Sequence, residues 1–196
     1  MSKERVTSAP HTDSLFESRL VARFQHGEPE ALGTLFDLYV DRVFAFVRRM
    51  LNNREDAQEI TSEVFVRAFE RAKTFRGEGS FRAWLFQIAR NLCIDHIRQP
   101  RLILLEPEES EAFSDMGRSS LQIETRIVVQ DAVQKLSPEH RIVLLLCDVE
   151  DWDAKEVALI LERSLPATKS LLYRARTALR ETLEREMLEE KTHGSL

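Results

Sequence analysis

The chain has 196 residues, 43% hydrophobic and 31% charged, with only 6 Gly and 6 Pro. That balance excludes a disordered or collagen-like polymer, and two cysteines are too few for a disulfide-built fold. The 28 Lys and Arg against 33 Asp and Glu give a net charge of −5, which would argue against nucleic-acid binding if it were evenly spread. It is not: Arg163, Lys169, Arg174, Arg176 and Arg180 lie in an acid-free stretch, whereas positions 106–124 hold six acids and one Arg.

Residues 1–12 are polar and aperiodic and read as a tail. Asp13 or Ser14 offers a cap to a first helix carrying Leu15, Phe16, Leu20 and Phe24. After the break at His26 and Gly27, a long amphipathic helix places Leu32, Leu35, Phe36, Tyr39, Val43, Phe46, Val47 and Met50 on one stripe. Asn52 and Asn53 interrupt it. Ala57, Ile60, Val64, Phe65, Ala68, Phe69 and Ala72 then mark a third helix, and Ser80 is placed to cap a fourth over 81–98, packed through Trp84, Leu85, Ile88, Leu92 and Ile97.

Pro100 ends that helix, and 99–120 reads as a flexible acidic linker. Helical spacing returns with Ile123, Ile127, Val128, Val133 and Leu136. Ser137-Pro138-Glu139 combines a hydroxyl cap, a proline at the first helical position and an acidic first turn. Residues 142–146 fill a core face, 148–153 form a polar turn, 154–161 make a short helix, and Ser164 caps a last helix to about 188, with 189–196 as a tail. The apolar run 142–147 is far shorter than the roughly 20 residues that cross a bilayer, and the first residues lack an apolar signal core, so a cytoplasmic protein is expected. No strand-period segment competes. The expected fold is all-α: two small helical domains, 13–98 and 121–188, joined by the linker.

Three segments could carry function. The last two helices form a helix-turn-helix in outline, and Lys169, Tyr173, Arg176 and Arg180 share the outward face of the second, flanked by Ser170 and Arg174. Such a face suits phosphate anchoring with a few base contacts, and equally an ordinary solvated surface. In 75–98, Arg76, Arg82, Arg90 and Arg98 interleave with Phe75, Phe81, Trp84 and Phe86, as a single-stranded nucleic acid requires, although most of those rings also suit a core. Asp56, Glu59 and Glu63 lie on one helix face near Ile60 and Phe65, which is either a protein-docking surface or a solvated one. Cys93 and His96 are one turn apart, but two ligands do not make a metal site. No phosphate-binding loop or nucleophile with a base is present, so no enzyme and no cofactor are expected.

Taken in order, DAQEITSEVFVRAFERAKTFRGEGSFRAWLFQIARNLCIDHIR, then LSPEHRIVLLLCDVEDWDAKEVALIL and TKSLLYRARTALR resemble the two domains of a bacterial extracytoplasmic-function (ECF) sigma factor. The resemblance covers about 14–98 and 121–185. It implies a subunit that binds core RNA polymerase through the β and β′ subunits, melts the −10 promoter element with its first domain, binds the −35 element with its second, and is held inactive by an anti-sigma factor. Carried over by position, it implies polymerase binding by Asp56, Glu59, Ile60, Glu63 and Phe65. For −10 DNA it implies Arg76, Gly77, Glu78, Ser80, Phe81, Arg82, Trp84, Arg90, Asn91, Asp95 and Arg98, and for −35 DNA Lys169, Ser170, Tyr173, Arg174 and Arg176. The chain departs from the family at Glu162, where the turn usually has glycine, at Pro166 and Ala167, and at Leu171, often Arg. The alternative is a sigma mimic that sequesters an anti-sigma factor without binding DNA.

Overall fold

The structure, a computed structural model, describes residues 14–75, 80–99, 120–150 and 152–193. The expected N-terminal tail, nearly all of the linker, and Arg76, Gly77 and Glu78 lie outside the described residues. Among the described residues all regular structure is helical, as the periodicity predicts.

The first group comprises α1 (Ser14–Gln25), α2 (Pro29–Leu51), α3 (Arg54–Glu70), a 3₁₀ turn (Ala72–Thr74) and α4 (Phe81–Arg98). Gly27, at φ 80°, takes the left-handed conformation that turns the chain from α1 into α2. Asn52 does the same at the end of α2, with φ 54°, and Asn53 caps α3 by accepting from the Asp56 amide at 2.8 Å. Ser80 caps α4 as predicted, its hydroxyl accepting from the Ala83 amide. The α2 stripe is buried at Leu35, Tyr39, Val43, Phe46, Val47 and Met50. Phe36 and Phe69, also predicted inward, are exposed.

The second group comprises α5 (Ser120–Gln134), α6 (Pro138–Leu144), a π-helical turn (Leu145–Val149), α7 (Ala154–Leu161) and α8 (Leu165–His193). Ser137 caps α6 with Pro138 in its first turn, as expected. Asp153 and Glu156 close a reciprocal capping box on α7. The last helix runs past the expected end near 188.

The two groups share one apolar core. α4 is buried against α2, α3 and α7; Leu85, Ile88 and Leu92 are among its buried residues, and Phe86 packs on Phe46 of α2 at 5.4 Å. The π-helical turn lies beside this contact. Its wider winding, closed by Glu150 N–H to the Leu145 carbonyl and Trp152 N–H to the Leu146 carbonyl, brings Trp152 out of the segment read as a polar turn and against Phe86. Trp152 is 4% exposed.

Candidate nucleic-acid interface

The helix-turn-helix is built from α7 and α8. Glu162 occupies the left-handed region at φ 53°, ψ 41°, and ends α7 with its amide donating to the Ala158 and Leu159 carbonyls. The turn is therefore kept rather than reshaped, at a cost of about 1 kcal/mol for a residue with a Cβ. Ser164 caps α8, accepting from the Ala167 amide, and Pro166 sits in the first turn, where no intrahelical donor is lost. Thr168, Leu171 and Ala175 point inward and are buried. Leu171 is thus a core residue, so its departure from the family pattern does not touch the outward face.

That outward face presents Lys169, Ser170, Tyr173, Arg174 and Arg176, all exposed, with Tyr173 at 74%. All five expected −35 residues are on one accessible surface. Arg176 is held by Asp148 of the π-helical turn through its Nε at 3.1 Å, an ion pair that keeps the guanidinium charged and raises its pKa. Arg174 donates to the Ser170 carbonyl.

On α4, Arg90, Asn91, Asp95 and Arg98 line one open cleft together with Arg67 and Arg71 of the α3 end. Those last two cations are absent from the sequence-based set. Their signal was present, because 67 and 71 are four positions apart at the end of α3 and its C-cap. Arg90 donates to Asn91 at 3.0 Å and reaches Glu162 at 3.5 Å. Phe81 requires correction: it is 4% exposed, enclosed by the rings of Phe24, Tyr39, Phe75 and Trp84, and supports the surface from behind. Trp84 is half-buried and Ser80 is committed to its cap. Arg82 lies under Trp152, its Cζ 3.5 Å from the indole centroid, a cation–π contact. Burial lowers the pKa of Arg82, with the carboxylates of Glu156 and Glu150 opposing that shift.

On α3, Glu59 is exposed and Glu63 pairs with Arg67 at 2.7 Å. Asp56 is half-buried beside His96 at 3.3 Å. Ile60 and Phe65 are buried, Phe65 against the Phe36 ring, so the expected docking role does not fall on their side chains. The exposed apolar groups on α3 are Val66 and Phe69, one and two turns beyond Ser62. They follow Glu59 at helical spacing, although the sequence pattern placed Phe69 on the inward stripe.

Residues 35–102 match the family profile described as Sigma-70 region 2, and 126–179 match that described as Sigma-70, region 4. The ECF RNA polymerase sigma factor BldN of Streptomyces coelicolor is 34% identical over 175 residues, covering 85% of this chain and 66% of that one. The chain belongs to the ECF sigma factors. Its fold is also that of CnrH, solved in complex with the cytosolic domain of CnrY: TM-score 0.66, 24% identity, covering 86% of this sigma factor and 97% of that chain. The sigma factor RpoE of Bartonella quintana, solved with the anti-sigma factor NepR, gives a TM-score of 0.60 at 20% identity over 78% of this chain and 96% of that one.

Proposed function

We propose that this sigma factor binds core RNA polymerase and directs initiation at promoters whose −35 element is read by α8 and whose −10 element is melted and held by α4 and the loop before it. The observation that carries this reading is the α8 surface. Three inward residues, Thr168, Leu171 and Ala175, fix the helix so that Lys169, Ser170, Tyr173, Arg174 and Arg176 all face outward. Cations bind phosphates and set the register, while the hydroxyl and the phenol ring meet base edges.

In this reading 13–98 is the polymerase and −10 unit, 121–188 the −35 unit, and 99–120 the connector between them. Glu59 with Val66 and Phe69 forms the polymerase-docking face, in place of Ile60 and Phe65. The protein performs no catalysis of its own, acts in the cytoplasm and is restrained by an anti-sigma factor, the kind of partner with which RpoE of Bartonella quintana was solved. Footprinting of reconstituted holoenzyme on a promoter it transcribes tests the assignment. Protection at −35 that disappears with Lys169→Ala and Arg174→Ala, while −10 protection is retained on a strong −10 site, is the expected result. Unchanged −35 protection would remove α8 from the interface.

A further inference from the structure

We infer that Asp148 is a positioning residue for −35 recognition: it grips one edge of the Arg176 guanidinium so that the free end of the fork meets two side-by-side acceptors on the DNA. This role rests on the reading of α8 proposed above and deepens it. Asp148 lies in the π-helical turn, 28 positions before its partner, and both of its carboxylate oxygens accept from Arg176. Oδ2 takes the Nε hydrogen at 3.1 Å, and Oδ1 takes one from Nη2. A two-point pair of this kind fixes the plane of the guanidinium as well as its place. Single π-helical turns recur at functional sites.

The pair leaves a usable remainder. A guanidinium carries five N–H donors in a rigid fork. Two are spent on Asp148, and the other three include the end-on pair, one from Nη1 and one from Nη2. That end matches two acceptors lying side by side, either O6 and N7 of a guanine or two oxygens of one phosphate. The Arg176 side chain is 58% exposed against 35% for Asp148, so the cation is the more outward of the two. Lys169 and Tyr173 share its helix face.

The neighbouring cations are held differently. Arg174 is tied through Nε to the Ser170 carbonyl of its own helix at 3.4 Å, and Arg180 approaches Glu184 at 3.9 Å. Among the described residues of α8, Arg176 alone has both oxygens of a carboxylate on its fork. A surface ion pair contributes little to stability. A long side chain, however, loses rotamer freedom when it binds, and Asp148 removes that freedom beforehand. On a surface that meets a polyanion a carboxylate is by itself unfavourable. Its effect on Arg176 accounts for its presence there.

The test is a double-mutant cycle in reconstituted holoenzyme, binding a short duplex that carries the −35 element of a promoter it transcribes. Affinity is read by fluorescence anisotropy at several salt concentrations, on the parent element and on each of its single base-pair substitutions. Arg176→Ala is expected to bind about tenfold more weakly and Asp148→Asn about fivefold, with the double variant no weaker than Arg176→Ala alone. The loss in Asp148→Asn runs against charge, because removing a carboxylate by itself favours DNA binding. All three variants should melt like the parent, since the pair lies at the surface. If the acceptors belong to a guanine, both single variants lose discrimination at one G·C pair of the element. If they belong to a phosphate, both lose affinity uniformly over the substituted elements, and in Arg176→Ala the slope of log affinity against log salt falls by about 1. Either pattern, shared by the two variants, supports the positioning role. Asp148→Asn at parental affinity or above beside a weakened Arg176→Ala would overturn it, as would losses that add in the double variant. Lys169→Ala is the control for the reading beneath: if it and Arg176→Ala both bind like the parent, the fault lies in α8 as the −35 helix.

Discussion

Arg141 is the residue whose removal the structure predicts to be most damaging among the charged ones. Its guanidinium is buried and donates to four main-chain carbonyls: Val133 and Leu136 at 3.2 and 3.3 Å, Gln134, and Met50 across the two groups. A hydrogen bond from a charged donor contributes about 1.5–3 kcal/mol net. Four would sum to at least about 6 kcal/mol, but burying the cation opposes them, an opposition visible in the lowered pKa of Arg141. Arg141→Met removes both the bonds and the buried charge while keeping the stem. A loss of about 3–4 kcal/mol follows, or about 10 °C in melting temperature for a chain of this size. Arg141→Lys should recover little, because one ammonium cannot span the fork's positions. Urea unfolding followed by circular dichroism measures both. A Met variant within about 1 kcal/mol of the parent, or a Lys variant of parental stability, would refute the assignment of Arg141 as the shared cap of α2 and α5.

Four other outcomes are expected. Arg174→Ala should weaken holoenzyme binding to duplex −35 DNA and reduce the slope of log affinity against log salt by about 1, read from filter binding at several salt concentrations; an unchanged slope removes a phosphate contact. Glu59→Lys with Val66→Asp should reduce core-polymerase binding in surface plasmon resonance at least about tenfold with little change in melting temperature, since both side chains are exposed; binding at parental strength would remove α3 from the docking face. Glu162→Gly should keep the fold and raise stability by no more than about 1 kcal/mol, because relief at φ 53° is offset by the freer unfolded chain and the lost contact to Arg90; a large destabilisation would mean that the turn depends on the side chain. Burial pushes the Cys93 thiol up to about 12 and raises that of Cys147 less. Cys93 should therefore resist iodoacetamide at pH 8 until the chain unfolds, with Cys147 reacting first. The sign for stability follows: a thiol pKa higher in the folded state leaves stability flat below about 9 and lowers it as pH rises from there toward 12.

The local rules of chain geometry made most of the helices legible. Asn53, Ser80, Ser137 with Pro138 and Ser164 all sit at the helix starts their chemistry favours, because a cap is decided by residues three or four apart. The outward row on α8 was legible for the same reason. Periodicity failed where a face is decided by something distant. Phe81 looks like a ring beside a basic loop, and only the neighbouring Phe24, Tyr39 and Phe75 make it core. Phe69 sits on the apolar stripe of α3, yet nothing among the described residues covers it fully. Trp152 was invisible in a run of acids, since its partners Arg82 and Phe86 lie more than 60 positions earlier and a π-helical turn is needed to reach them. Arg141 was equally hidden, because its role depends on the end of a helix 91 positions away.

Run-off transcription with purified bacterial core polymerase, this protein and a library of genomic promoter fragments tests the central claim most directly. Discrete start sites that require the protein, with shared sequences near −10 and −35, are predicted. Normal core binding without any protein-dependent transcript would contradict the account and leave a sigma mimic in its place.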